Sequence, residues 1–173
     1  MDTSKPPHAP VRLKAKFDAV VFRRVLGHYP TGVCVVTAAE PDGRPIGMTV
    51  GSFSSVSLEP PLVSFMPAKS STSWPRIART GQFCVNVLAS NQLEISQRFS
   101  SKVEDKFDSL VFDLSVTGSP VLKGVAAWMD CTLYATYEAG DHFIVLGEVQ
   151  DLQAQGDQPL LFLRGQFGSF SPL

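Results

Sequence analysis

Lys69-Ser70-Ser71-Thr72-Ser73 stands directly ahead of Trp74-Pro75. Proline there is the mark of a first helical turn, so a lysine and several hydroxyls are gathered where a helix begins, and that combination suits a phosphate. A plain helix N-cap with a serine-rich turn accounts for the same residues. Upstream, Ile46, Met48 and Val50 alternate with Gly47, Thr49 and Gly51. The pattern is a strand with one apolar face and one nearly bare face, and a bare face marks the close approach of a ligand or another backbone. Ser52, Ser54, Ser55 and Ser57 follow it. A third feature is His142, behind Gly140-Asp141 at the head of the apolar run HFIVLGEV. A polar side chain there sits at the mouth of a barrel, although a lone histidine at a strand end is more often structural.

What the chain lacks narrows the chemistry. It has no GxGxxG after a strand, no GxxxxGK[ST], no HExxH and no GxSxG. Its three histidines are His8, His28 and His142, so a hydrolase triad or a histidine-rich metal site would rest on one or two residues. His28 reads most simply as a residue near a helix C-terminus. Cys34, Cys84 and Cys131 lie far apart in apolar surroundings, form no CxxC and read as buried thiols, with no metal site. Hydride transfer fits this inventory, because the cofactor carries the hard chemistry while the protein binds and orients it. Backbone N–H groups of a small-residue strand serve the ring edge of a flavin, and a lysine with hydroxyls ahead of a helix holds its phosphate.

These residues need a scaffold. The 173 residues, 44% of them hydrophobic, make one domain with a real core, and some of the apolar surface is expected at a subunit interface. Fifteen basic against sixteen acidic residues argue against nucleic acid as a partner. Residues 1–15 read as a flexible tail ahead of a domain over 16–173. No secretory signal and no apolar run of membrane-spanning length is present, so the expectation is a cytoplasmic protein without a membrane.

Phe17, Val20, Val21 and Val25 predict a helix stopped at Gly27. Strands are expected over Val33–Thr37, Ile46–Leu58, Leu62–Met66, Phe83–Leu88, Val125–Tyr137, His142–Leu152 and Pro159–Phe170, the last kinked by Gly165 and Gly168. Asp42-Gly43 signals a hairpin. Trp74–Thr80 predicts a short helix, and 91–110 a surface helix followed by a charged loop. Six or seven strands with two or three short helices favour a mainly β chain closed into an antiparallel barrel.

PTGVCVVTA (30–38), GMTVGSFSSVSLEPPLV (47–63), the KSS-T cluster, FCVNVL (83–88), GDHFIVLGEV (140–149) and PLLFLRGQFGSF resemble, in order and spacing, the flavin reductase family. These are the NAD(P)H:flavin oxidoreductases that act as reductase components of two-component flavin-dependent monooxygenases. The resemblance implies an FMN-binding split barrel of antiparallel Greek-key type and a homodimer. It implies FMN or FAD as flavin, NADH or NADPH as co-substrate, and a separate monooxygenase as partner. Carried over, Met48, Thr49, Val50 and Ser52 line the ring and ribityl chain, with Ser54 and Ser55 beside them. Lys69, Ser70 and Ser71 hold the phosphate, and Ser101 and Lys102 reach the adenosine side of an FAD. His142 serves the nicotinamide as the catalytic residue, with Arg164 and Phe167 nearby. Gly51 departs from the family, where many relatives carry Asn, and bears on how tightly flavin is held. A non-catalytic flavin carrier on the same fold is the alternative, but the GDH strand favours the reductase.

Overall fold

The computed structural model describes residues 18–156 and 158–173. The sequence-predicted tail and Phe17 lie outside them. Fifteen elements follow one another among the described residues: α1 (Ala19–Leu26), β1 (Thr31–Gly32), β2 (Cys34–Ala39), β3 (Pro45–Val50), β4 (Ser54–Leu58), β5 (Pro61–Phe65), α2 (Trp74–Thr80), β6 (Gln82–Val87), α3 (Leu93–Ser100), β7 (Phe112–Leu114), β8 (Pro120–Leu122), β9 (Ala127–Ala139), β10 (His142–Ala154), β11 (Leu160–Leu163) and β12 (Gln166–Ser169). The strands form a seven-stranded sheet in the order β3-β2-β6-β9-β10-β5-β4, a three-stranded sheet β1-β11-β12, and the hairpin β7-β8. Every pairing among them is antiparallel.

One hydrophobic core takes Val36 and Ile46 from one end of the large sheet, Val63 and Phe65 from the other, and Phe83, Cys131 and Val145 from its middle. Both ends of the strand order therefore face the same interior, and the sheet curls around it. Trp74 and Ile77 of α2 join that interior. The rings of Trp74 and Phe83 meet Phe65 edge-on at 5.5 and 5.3 Å. Gly147 permits the curl at β10. A Cβ there would fall 2.5 Å from Phe83 Cζ, next to a register shift between Leu146 and Gly147.

A second core lies on the outer face. Val33, Val35, Leu88, Phe99, Phe107, Leu122, Val125 and Leu160 pack there. The alternation of β2 explains its unbroken apolar sequence, since Cys34 and Val36 fill the inner core while Val33 and Val35 fill the outer one. Phe99 and Phe107 contact edge-on at 4.9 Å, and this pair mounts α3 and the following loop against the sheet.

Three expectations are corrected. The strand over Ile46–Leu58 is two strands, β3 and β4, because the chain bends at Gly51–Phe53 and passes to the opposite edge of the sheet. The strand over Pro159–Phe170 is the hairpin β11–β12, turning at Arg164-Gly165, both with positive φ. The hairpin β7–β8 and the two-residue β1, each strand only two or three residues long, are too short to show as strands in the sequence. The short helix over Trp74–Thr80 is α2 residue for residue, and the hairpin at Asp42-Gly43 joins β2 to β3. All three thiols are buried and unpaired, and loss of hydration pushes Cys34 and Cys131 up to about 12. They are protonated at neutral pH and chemically inert.

Candidate active site

A cavity of about 720 Å³ opens between β3, the 70–73 segment ahead of α2, and the end of α3 with its following loop. Each wall is fixed by local chemistry. Thr49 Oγ1 donates to the Ser96 carbonyl at 2.9 Å, which ties β3 to α3. Gly47 lets α3 approach, since a Cβ there would lie 2.6 Å from Phe99 Cε1. The bare strand face is thus bare at Gly47 because an aromatic ring occupies the space, and that ring is itself part of the cavity wall. Ser71 Oγ accepts the Trp74 N–H at 3.1 Å and approaches Met48 Sδ at 3.8 Å. The N-cap of α2 is Ser73, which makes no side-chain cap bond, and Ser71 takes the Trp74 N–H while also lining the cavity.

The cationic side of the cavity comes from Arg76, Lys102 and Lys106. Arg76 is held in α2 by a two-point ion pair with Glu40, with Nε to Oε1 at 2.9 Å and a second bond from Nη2 to Oε2. The guanidinium holds the Glu40 carboxyl below the usual carboxylate range, chiefly through the hydrogen bond. A depressed carboxylate stabilises the fold above its unfolded pKa and loses that contribution as pH falls through its folded value. Glu40→Gln is therefore expected to weaken the protein at neutral pH and to remove part of its acid-side loss of stability, as read by melting temperature across a pH series. Lys106 Nζ donates to the Phe99 carbonyl at 2.8 Å. Burial lowers its pKa, and repulsion from Arg76 lowers it further. Glu104 also lines the space and Arg76 is paired with Glu40, so the excess positive charge available to an anion rests on Lys102 and Lys106.

Met48, Thr49, Ser70, Ser71, Ser101 and Lys102, all sequence-predicted, line this cavity. The others lie elsewhere. Val50 is buried in the inner core. Ser52 Oγ accepts the Met66 N–H at 2.8 Å and fastens the bend after β3. Ser54 and Ser55 are exposed on the edge strand β4. Lys69 Nζ binds Glu138 at 2.8 Å and lies over the Phe143 ring. His142 is bridged to Ala68 and so stands beside Lys69. Its Nδ1 meets Asp141 Oδ1 at 2.8 Å. Arg164 and Phe167 belong to the β11–β12 hairpin, where Phe167 packs edge-on to Phe162.

Sequence reasoning missed Arg76, Lys106 and Phe99. Arg76 was within reach, because it lies three residues after Ser73 and so projects to the same side. Lys106 had no distinguishing signal among Glu104, Asp105 and Asp108.

The model for the flavin reductase like domain family matches residues 26–171, and the chain belongs to that family. A flavin reductase of Pseudomonas putida is 57% identical over 162 residues, 93% of this chain and 95% of its own. HsaB of Mycobacterium tuberculosis, the reductase subunit of a flavin-dependent monooxygenase, is 44% identical over 163 residues, 92% of this chain and 87% of its own. Among solved structures, the NADH:FAD oxidoreductase SgcE6 of Streptomyces globisporus C-1027, in complex with NAD and FAD fragments, superposes with a TM-score of 0.84 at 38% identity. The superposition covers 90% of this chain and 94% of that one. The fold is the split barrel of these flavin reductases, and no helix among the described residues is long and apolar enough to cross a membrane.

Proposed function

We propose that this chain is an NAD(P)H:flavin oxidoreductase of the EC 1.5.1 type, which reduces FMN or FAD with NADH or NADPH and passes reduced flavin to a separate monooxygenase. The observation that carries the reading is the cavity in which β3 and the Ser70-Ser71 pair face Arg76, Lys102 and Lys106. Its donor set fits a flavin: small and hydroxyl residues for a ring and polyol chain, and cations for phosphate. A flavin held there supplies the hydride-accepting chemistry. The names of the similar proteins, one a monooxygenase reductase subunit and one an NADH:FAD oxidoreductase, support the same assignment.

Met48, Thr49, Val50 and Ser52 offer β3 and its bend to the ring, with Ser54 and Ser55 further along. Ser70 and Ser71, beside Lys69, face the phosphate. Ser101 and Lys102 lie on the outer arm toward an adenosine. His142 orients the nicotinamide. Asp141 engages the ring through Nδ1, so Nε2 is the ring nitrogen left for the nicotinamide. The hydrogen bond to His142 and the charge of that ring hold the Asp141 carboxyl below its usual range. The contact is therefore expected to persist as pH falls through the ordinary carboxylate range and to be lost only below it. His142→Ala should raise KM for the nicotinamide about tenfold, the worth of one good hydrogen bond, with initial rates at varied NADH as the measurement. An unchanged KM removes His142 from the site.

The helix α1 supports a homodimer. Val21, Val25 and Leu26 share one exposed face, and Arg23 and Arg24 on its other side line a cavity with the β11–β12 hairpin. A helix mounted with its apolar face outward needs a second surface. A second copy supplies it by two-fold symmetry. Light scattering should give twice the chain mass, and Val25→Asp should shift the protein toward monomer. Steady-state oxidation of NADH and NADPH with added FMN and FAD tests the enzyme reading and selects the pair used.

A further inference from the structure

Met48 belongs to two environments. Its half-buried side chain packs against the inner core, and it also lines the cavity between β3 and the 70–73 segment. Its sulfur takes the hydroxyl hydrogen of Ser71 at 3.8 Å, while the same Ser71 oxygen accepts the Trp74 N–H at 3.1 Å. Thioether, hydroxyl and the first turn of α2 thus form one chain of contacts along the cavity wall. Met66 is more exposed, at 43%, and is not among the residues of this cavity. Met129 packs against the inner core.

A flexible thioether that fills a gap between core and cleft is ordinary and needs no function. What distinguishes Met48 is the chemistry expected on its open side. In air, O2 takes two electrons and two protons from reduced flavin and leaves as hydrogen peroxide, with oxidised flavin behind it. The three thiols do not compete for that peroxide, because they are buried and burial raises the pKa of each. A thioether needs no ionisation to react.

We infer that Met48 is a peroxide-sensitive brake on flavin binding, an inference that rests on the flavin reading of this cavity: hydrogen peroxide oxidises the thioether, and the sulfoxide shuts flavin out. A sulfur lone pair attacks one peroxide oxygen, the O–O bond breaks and an S–O bond forms. The departing hydroxide takes the proton from the new S–OH and leaves as water. Sulfur is oxidised by two electrons, and peroxide is reduced by the same two. The product is polar and chiral. On its core side Met48 packs with apolar residues, where an oxygen without a partner carries a desolvation cost. On its cavity side Ser71 already donates toward the sulfur, and a sulfoxide oxygen is a stronger acceptor than a thioether. The oxygen therefore lies on the cavity side, engages the Ser71 hydroxyl that would serve a flavin phosphate, and fills space beside β3. Flavin reduction with no oxygenase to consume the product restrains itself in this way, and sulfoxide reductases reverse the restraint.

The test treats the full chain, without flavin, with hydrogen peroxide and then removes the oxidant. Mass spectrometry locates each methionine sulfoxide, and fluorescence titration reads FMN and FAD affinity before and after. In the parent, Met48 sulfoxide should form and affinity should weaken about tenfold, the worth of one good hydrogen bond. The two methionine sulfoxide reductases, one for each epimer, should restore both thioether and affinity. Met48→Leu conserves volume and removes the sulfur, so peroxide should leave this variant at its own starting affinity, whatever that is. Met66→Leu should lose affinity as the parent does. Aerobic turnover of a nicotinamide and flavin with no oxygenase present should yield the same Met48 sulfoxide, and its absence after many turnovers overturns the peroxide supply. Met48 left intact where Met66 is fully oxidised overturns the inference. Met48 sulfoxide with unchanged flavin affinity, or an equal loss in Met48→Leu, does the same, and in each case the flavin reading stands. A parent that binds no flavin before treatment sinks that reading instead, and the brake with it. If flavin binds but no nicotinamide is oxidised, the reductase reading fails, and the added-peroxide arm still decides the Met48 site.

Discussion

Asn86→Ala should lower the unfolding free energy by about 2–4 kcal/mol, a large share of the stability of a domain this size. Asn86 is fully buried in β6. Its Nδ2 donates to Thr37 Oγ1 at 3.0 Å and to the Val35 carbonyl at 3.2 Å, and its Oδ1 accepts the Leu122 N–H at 2.8 Å. The side chain is thus the clip that fastens β8 and its neighbours to the outer face of the large sheet. Alanine would leave the Leu122 N–H and the Thr37 hydroxyl with fewer partners in a dry core and add a small void. Urea unfolding measures the loss. A change under about 0.5 kcal/mol would mean that water enters and replaces the amide.

Gly47→Ala should disturb the cavity between β3 and α3, proposed to hold the flavin. The added Cβ would meet Phe99 Cε1 at 2.6 Å and the Val36 carbonyl at 3.1 Å, so either α3 retreats or the Phe99 ring turns into the cavity. Overpacking of this kind costs about 1–3 kcal/mol. Both responses move the Phe99-to-Lys106 wall, because Lys106 is bonded to the Phe99 carbonyl. The expected result is a flavin affinity at least about tenfold weaker, since angstrom-scale displacement of a binding wall has effects of that order, together with a lower melting temperature. Phe99→Leu in the same chain should recover part of the stability, because the two positions share one space. Tight flavin binding by Gly47→Ala would place the ring away from this wall.

The residues that could be read from the sequence were those whose neighbours in the chain are also their neighbours in space. The helix at Trp74-Pro75, the turn at Asp42-Gly43 and the strand after His142 are of this kind, and each lies where local pattern puts it. The serine cluster reaches the cavity with Ser70 and Ser71 for the same reason. Other features depend on partners far along the chain. Gly47 looked like a place left open for a ligand, and the occupant is Phe99 from α3. Lys69 reads as a phosphate cation from its place ahead of α2, and the sequence could not show that its ammonium also meets Glu138 of β9 or that Arg76 and Lys106 line the cavity. Arg164 hid a hairpin, because arginine is a poor marker of a turn that requires positive φ. Val50 illustrates the period-2 rule working in full: it shares a face with Ile46, and both belong to the inner core.

Gly51 keeps its distinct place. A Cβ there would approach Thr31 Oγ1 at 3.2 Å, so a larger residue must push that hydroxyl by a few tenths of an ångström. Whether the Thr31 side chain yields decides the sign of a Gly51→Ala change in stability, which melting temperature reads directly.

The most direct measurement of the central claim is an anaerobic single turnover. The purified protein with one equivalent of FMN or FAD is mixed rapidly with NADH, and the visible absorbance of the oxidised flavin is followed. The account predicts complete bleaching at a rate that saturates with NADH and far exceeds that of free flavin, with the half-saturating NADH concentration raised by His142→Ala. Flavin that binds at the cavity but keeps its colour with both NADH and NADPH would contradict it, and would mark the chain as a flavin carrier.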